Sequence, residues 1–403
     1  MILKVSKSVH DADNFTADAK IEILNAKLKD QNVLLDCPDS IAYSPFINCH
    51  DHLIGNWYPK AGKNKTYPNS DIWVDDMKTS DSYLERNKVW INDGKWKLME
   101  GNARLLIGLG IYKNIFSGCN VVQDHGPNQS DEYYQQFPIE VVKQYRQCHS
   151  LTIGNWWGGK SAIDEWKAAK NEMPFIIHLA EGLDEQAKKD FSKLQNEGLL
   201  QPNTLIIHGI ALTGKEIELC AKAGTSICFC PGSNLFLIGK IIDLEKCLES
   251  KVNITIGTDS TMSGSINILA ELKLVHELHP EIPMKELYRM ITTNAQKALF
   301  LPDSYGKLAD KSPHLLLVRK KVDDPFNNLL KIDTTDIELM IHNGIPIYGN
   351  KKYLQKFLFD NDDYFYFKIG NTEKFVIGHP EKIVNKIDSI LGYHKKFPYF
   401  PFS

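Results

Sequence analysis

Four short apolar runs, two of them stopping at a histidine, constrain this 403-residue chain more than anything else in it. They are Pro174-Phe175-Ile176-Ile177-His178, Thr204-Leu205-Ile206-Ile207-His208, Ser226-Ile227-Cys228-Phe229-Cys230 and Val252-Asn253-Ile254-Thr255-Ile256. Their length, β-branched content and apolar character on both faces read as strands buried on both sides. Helical patterns separate them. One lies near Asp184 to Gln195, and the next opens with Thr213 and Glu216 at the spacing of a capping box. A third lies around Asp243 to Glu249, followed by Ile266 to His279 and Met284 to Phe300. Strands alternating with helices give a parallel sheet covered on both faces. An open doubly wound sheet and a closed barrel both satisfy that pattern. The polar residues decide between them, because His50, His52, His178, His208 and Asp259 all stand at or just past the C-terminal ends of apolar runs. A barrel gathers those ends on one rim, whereas an open sheet spreads them across its width. The expected fold is therefore α/β, a (β/α)8 TIM-type barrel.

The first strand of that barrel is Ser44-Pro45-Phe46-Ile47-Asn48-Cys49-His50-Asp51-His52-Leu53. Residues i and i+2 of a strand share a face, which sets His50 and His52 side by side. Residues 54 to 97 follow without clean periodicity but with many aromatics, Trp57, Tyr67, Trp73, Tyr83, Trp90 and Trp96 among them. Such a long, aromatic-rich interval reads as a lid or pocket wall. Asn102 to Ile115 has helical spacing, and Gly118 to His125 reads as turn then strand. Glu140 to Cys148 reads as helix, Leu151-Thr152-Ile153 as a short strand and Ser161 to Lys170 as helix. The interval from His125 to Pro174 is short for two full βα units, so the barrel is expected to be distorted there. Alternation before residue 45, and strand-like Pro313 to Val318 and Glu338 to His342, predict a small β-sandwich built from both ends of the sequence. The expected division is 1–45 with 305–350 as that sandwich, 46–304 as the barrel, and 351–403 as a C-terminal appendage.

A formal charge of −3 offers no electrostatic case for nucleic acid or an anionic membrane. No stretch reaches the length of a membrane-spanning helix, and Met1 to Lys7 leads into Asp11 and Asp13 instead of a signal-peptide core. Eight cysteines are too sparse for a disulfide scaffold, and Cys228 and Cys230 fit a buried strand better than a metal or redox pair. These observations point to a cytoplasmic protein acting on a small molecule, with a homo-oligomer left open.

The strand-end residues carry the chemistry. A catalytic metal wants three or four N/O ligands with a position left for water, which His50, His52, His178 and Asp259 would provide. Glu181 follows His178 closely enough to move protons, and His208 ends the next strand within reach of the attacking water. Singly, a strand-end histidine is more often a packed core residue, and Asp259 could cap a helix. Together, in order and in one domain, they are specific. His125, Trp156 and Trp157 stand at other strand ends, where packing and pocket lining are equally open readings.

Pro45 to Leu53, His178-Leu179-Ala180-Glu181, Ile207-His208-Gly209, Cys230-Pro231-Gly232-Ser233-Asn234-Leu235 and Ile256-Gly257-Thr258-Asp259-Ser260 together resemble the amidohydrolase superfamily. The branch they look like holds the nucleobase, adenosylhomocysteine and guanine deaminases and the triazine hydrolases. The resemblance covers roughly residues 44 to 320. It implies metal ligation by His50, His52, His178 and Asp259, with Glu181 shuttling a proton to a ring nitrogen. It also implies that His208 orients the water or oxyanion and that Asp259 takes a proton from the water. Two-metal members carry a bridging lysine that Leu151 to Trp156 does not offer, so one divalent ion is expected. Zinc leads for such ligands, with iron and manganese also suited. His314 replaces the aspartate usual before the Leu-Leu-Val strand. The implied reaction is deamination of a nitrogen heterocycle. The alternatives are hydrolysis of a ring amide or carbon–halogen bond at the same site, or a catalytically silent metal-binding protein.

Overall fold

The computed structural model describes residues 1–30, 33–63, 65–90, 97–155 and 157–402. Eight short strands follow one another in chain order in two parallel sheets. Phe46–Asp51, Cys119–Asp124 and Glu140–Val141 form the first. Arg146–Ser150, Phe175–Leu179, Thr204–His208, Ser226–Phe229 and Ile254–Ile256 form the second, each paired with its neighbour in the chain. Backbone amides of Thr258 and Asp259 donate to the His50 carbonyl at 3.0 and 3.1 Å, so the end of the last strand returns to the first. This is the α/β barrel expected, and its irregular part falls where the sequence is short. Only residues 142–145 separate the third strand from the fourth, with no helix between them.

Three local expectations are corrected. Residues 140–148 form no helix: they are the strand Glu140–Val141, the link 142–145 and the start of the strand Arg146–Ser150. The buried Val141, Val142, Tyr145 and Cys148 follow i, i+1, i+4, i+7, a helical spacing that pairing with both neighbouring strands overrides. Residues 151–153 are a turn, closed by Ser150 Oγ accepting from the Ile153 amide at 3.0 Å. The long helix expected over 284–300 is two, Met284–Met290 and Thr293–Ala298, with Ile291 and Thr292 buried between them.

The aromatic interval after His52 contains two short helices, α1 (Ser70–Met77) and α2 (Asp81–Val89). Asn69 and Ser80 cap them, accepting from the amides of Ile72 and Tyr83. Their inward residues mix aromatic with polar side chains, so the sequence shows no apolar stripe. Trp96 and Trp156 lie outside the described residues. A third helix, α3 (Ala103–Phe116), packs behind the His-x-His strand. Gly110 permits that approach: a Cβ there would meet Leu53 Cδ2 at 2.7 Å and Asn56 Nδ2 at 2.8 Å.

Both ends of the sequence meet in one continuous nine-stranded sheet. Its hydrogen-bonded order is Lys311–Ser312, Phe15–Ile23, Ile2–Val9, Leu34–Tyr43, Leu315–Arg319, Ile337–His342, Ile345–Asn350, Thr372–Ile377, Tyr364–Ile369. Residues from its two extremes, such as Ile21 and Phe375, share one buried cluster, and a bridge joins Leu28 to Phe357. The sandwich is thus a single sheet folded over its own core. Residues 351–403, expected as an appendage, are integrated. Two of their strands extend the sheet, and the helix Pro380–Leu391 packs on α2 and α3. The aromatic alternation of 364–367 is what a half-buried edge hairpin needs.

Two histidines in this sheet make its stability pH-dependent. Burial pushes His314 down to about 4, and burial followed by the neighbouring His314 pushes His342 down to about 3. The His314 Nδ1 accepts from the Asn343 amide at 3.2 Å, a bond available only to an unprotonated nitrogen. A histidine depressed in the folded state contributes stability above its unfolded pKa of about 6.5 and loses it as pH falls toward the folded value. Stability should therefore drop by on the order of 3 kcal/mol for His314 between about pH 6.5 and 4. His314→Asn should flatten that slope in urea unfolding, and parallel pH profiles for the two proteins would refute the assignment.

Candidate active site

The strand ends bring His50, His52, His178, His208, Glu181 and Asp259 together at one mouth. His50 and His178 ring centroids lie 5.0 Å apart, His50 and His52 4.9 Å, and His178 and His208 5.3 Å. Candidate ligand atoms of His50, His178 and His208 lie within 4.8 Å of one another, as do those of His50, His52 and Asp259. His52 Nε2 stands 3.7 Å and His50 Nε2 4.0 Å from Asp259 Oδ1. All are buried except His52, whose side chain is partly exposed.

Regular strands alone would not produce this convergence. Ile47 and Cys49 belong with Ile176, Ile207 and Cys228 to one cluster shared by the strands. Strict alternation would turn His50 and His52 to the other face. The register shifts between Asn48 and Asp51 against the next strand, and that bulge re-aims both imidazoles. His208 and Asp259 reach the mouth through left-handed backbone, with φ of 73° and 52°. Ala180, just before Glu181, has φ 54°. Non-glycine residues held in that region cost about 1–3 kcal/mol each and cluster at functional sites.

Hydrogen bonds fix which atoms are free. His178 Nδ1–H donates to the His149 carbonyl at 2.9 Å, leaving Nε2 as the lone-pair nitrogen. His208 Nδ1 is held by Asn234 Oδ1 at 2.7 Å, and its Nε2 lies 3.3 Å from Glu181 Oε1. Neither ring nitrogen of the fully buried His50 makes a hydrogen bond of normal geometry. Asp259 accepts from the Ser233 and Ser263 hydroxyls at 2.7 and 2.8 Å and from the Ser260 amide at 2.7 Å.

The electrostatics separate the two acids. Burial pushes Glu181 well above the usual carboxylate range, and the charge of Asp259 adds to that. Burial would raise Asp259 too, but His52, His208 and the two serine hydroxyls hold it below its ordinary value. One carboxyl is thus disposed to carry a proton and the other to stay ionised, the division that acid–base catalysis needs. Burial, and then the surrounding histidines, press His50 and His178 well below 6.5, and burial takes His208 to about 4, which favours the neutral form of these three rings.

Beneath the mouth lies a buried polar network that the sequence did not reveal. Lys113 Nζ, from α3, sits 3.0 Å from Asp51 Oδ2, with both side chains fully buried. It also donates to Thr258 Oγ1 at 2.9 Å and to the Asp259 carbonyl at 3.0 Å. Asn48, Asn56 and Asn114 supply further donors to the Asp51 carboxylate at 2.9 to 3.2 Å. Above the mouth opens a cavity of about 490 Å³ walled by Ile54, Trp73, Tyr83, Arg86 and Trp90 from the interval after His52, and by Trp157. His125 lies behind this wall, buried and stacked on His178 at 4.4 Å. Ser233 and Asn234, within a motif noted above, had no predicted role; the structure makes them supports of Asp259 and His208.

Fold and site together define an α/β barrel protein with a histidine- and aspartate-rich centre at the C-terminal ends of its strands. The chain belongs to the amidohydrolase family, whose model matches residues 100–348. A 5-methylthioadenosine/S-adenosylhomocysteine deaminase of Thermococcus sibiricus is 35% identical over 173 residues, 37% of this chain and 41% of that protein. The match to that relative thus spans less than half its length. The protein of the same name from Pyrococcus horikoshii aligns over 85% of this chain and 93% of its own length at 28% identity. Among solved structures, the atrazine chlorohydrolase of Arthrobacter aurescens, complexed with zinc, superposes with TM-score 0.72 at 17% identity. That superposition covers 97% of this chain and 99% of the other and speaks to the fold alone.

Proposed function

We propose that this protein is a metal-dependent hydrolase that removes an amino group from a nitrogen heterocycle, an adenine-type ring being favoured by its relatives. One observation carries the reading. Two buried carboxyls of opposite protonation tendency, Glu181 and Asp259, face the same cavity beside a cluster of imidazoles. The deaminases among the relatives favour an exocyclic amine over the halogen of the chlorohydrolase as leaving group, because the latter likeness is one of fold.

The donor set suits a divalent cation. His50 is buried with both ring nitrogens unsatisfied, and His178 keeps Nε2 free by committing Nδ1 to a carbonyl. His50, His52, His178 and Asp259 would hold one ion, zinc by preference for such N/O ligands. When bound, the ion supplies Lewis acidity that brings the pKa of a water toward neutrality. The chain's own residues supply the rest. Asp259, kept ionised, accepts a proton from the water as its oxygen bonds to the ring carbon. Glu181, kept protonated, gives its proton to the adjacent ring nitrogen; as the carbon–nitrogen bond breaks, the proton held by Asp259 passes to the amino group, which leaves as ammonia, and the hydroxyl proton of the adduct returns to Glu181. His208, neutral and donating Nδ1–H to Asn234, turns the lone pair of its Nε2 to the cavity beside Glu181, where it can accept from and orient the attacking water. The aromatic wall excludes bulk water and offers a stacking surface for a planar ring. All eight cysteines are buried and free, which supports a reducing, cytoplasmic setting, and no helix among the described residues is long and apolar enough to cross a membrane.

The test is ammonia release from a panel of aminated purines, pyrimidines and nucleosides. The zinc-loaded protein should release ammonia, lose that activity on chelation and regain it with zinc. Chloride release from chlorinated rings without ammonia release would establish the halogen alternative instead. Absence of stoichiometric metal after loading would refute the reading.

A further inference from the structure

The cavity wall holds a cation that the deamination chemistry does not use. Arg86, on α2, lines the cavity while being only 7% exposed. No carboxylate lies within ion-pair distance of it among the described residues. Its helix neighbour Glu85 is committed elsewhere, to Trp57 Nε1 at 2.6 Å and to Tyr393 and Lys395. The guanidinium is held between the rings of Tyr83 and Trp90, 4.7 and 5.1 Å from their centroids. Of its five N–H donors, Nε and one terminal nitrogen reach Asn87 Oδ1 at 3.2 and 2.8 Å, and the other terminal nitrogen makes a 3.5 Å contact to the Ile54 carbonyl. The remaining two donors make no hydrogen bond of normal geometry among the described residues, although Tyr83 lies close enough to favour the charged form. Burial presses its pKa down to about 10 against the opposing pull of Tyr83, as expected for a charge taken out of water with no carboxylate beside it among the described residues.

A buried cation without an anion is costly, and a binding site is where such a cost is recovered, when the ligand brings the missing charge. The flanking rings hold the fork rigid, and a rigid guanidinium matches the oxygen spacing of carboxylates and phosphates. Arg86 and the strand-end residues line one cavity, so an anion paired at the wall would belong to the molecule whose ring lies at the floor.

We propose that Arg86 reads an oxyanion on the substrate, so that the molecule deaminated carries a carboxylate or phosphate on the arm extending from its heterocycle toward α2. This rests on the deaminase reading above. Tyr83, Arg86 and Trp90, at i, i+3 and i+7, then form one recognition face. Arg86 is a specificity residue under this proposal and takes no part in the bond-breaking step.

The test compares kcat/KM for adenosine 5′-carboxylate, its 5′-carboxamide and adenosine 5′-phosphate in the zinc-loaded protein, Arg86→Lys and Arg86→Met. The wild-type protein should prefer at least one anion to the neutral amide by roughly 10–100-fold, the value of a charge-assisted pair. That ratio should collapse toward one in Arg86→Met and be only partly kept in Arg86→Lys, which retains charge but not the fork. Which anion is preferred separates carboxylate from phosphate. General damage to the wall would lower all three substrates and leave the ratio unmoved, which would overturn the proposal. Calorimetric binding of indole-3-propionate against indole-3-propionamide gives a readout independent of turnover. Anion preference there that vanishes in Arg86→Met sustains the proposal even without ammonia release, an outcome that sinks the deaminase reading alone. No preference, or one that survives in Arg86→Met, overturns this proposal alone.

Discussion

Glu181→Gln should reduce kcat by roughly 10²–10⁴-fold on the true substrate while leaving metal content and unfolding midpoint close to those of the parent. Glutamine keeps the shape and a polar contact to His208, so packing around the site is preserved. What it cannot do is give up and recover a proton. Burial and the charge of Asp259 keep the Glu181 carboxyl protonated, so a neutral amide in its place changes the local charge little. The substitution therefore isolates the proton-transfer role from structural support. Turnover within threefold of the parent would show that the ring-nitrogen proton comes from another group. A large loss of bound metal would instead recast Glu181 as part of the ligand shell.

Lys113→Met should cost about 3–5 kcal/mol in unfolding free energy, because it strands the Asp51 carboxylate at a fully buried position. The network tells why this lysine matters beyond its partner. Its ammonium touches the carboxylate between the two histidines of the first strand and the backbone carbonyl of Asp259 after the last strand. One side chain thus ties the two ends of the barrel, and with them three candidate metal ligands. Pairing Lys113→Met with Asp51→Asn should recover much of the loss, since both charges leave together and three asparagines remain to bond the amide. A double-mutant cycle on denaturant unfolding measures the coupling. Additive losses would show that the two groups act independently.

The sequence made the barrel legible, together with a roster of candidate site residues, because several buried strands stop at or just before a residue too polar for a core. His178, His208 and Asp259 advertise themselves against the apolar runs before them. The means by which they converge was not legible. A bulge at residues 48–51 and left-handed backbone at His208 and Asp259 are properties of the assembled sheet, not of local propensity. Lys113 was hidden for a related reason: in a helical pattern a lysine reads as solvated, and only the packing of α3 on the first strand turns it inward. Residues 140–148 failed because one spacing serves two periods when a strand is buried on both sides. Arg86 escaped notice because the inner face of α2 alternates rings with charge.

The last stretch of the chain has a consequence for the timing of biogenesis. The Tyr399 hydroxyl donates to the Asn56 carbonyl, Phe397 packs edge-on against Trp57 at 5.4 Å, and Lys395 holds Glu85. Trp57 and Glu85 are the immediate supports of the loop after His52 and of α2. As the chain emerges from the ribosome, the strands bearing the histidines and Asp259 can assemble well before residues 395–399 are made. The wall bearing Arg86 gains this backing only once those residues are made. A chain lacking residues 395–399 would carry the candidate metal ligands with an unsupported pocket wall, so the wall depends on a segment far from it in sequence.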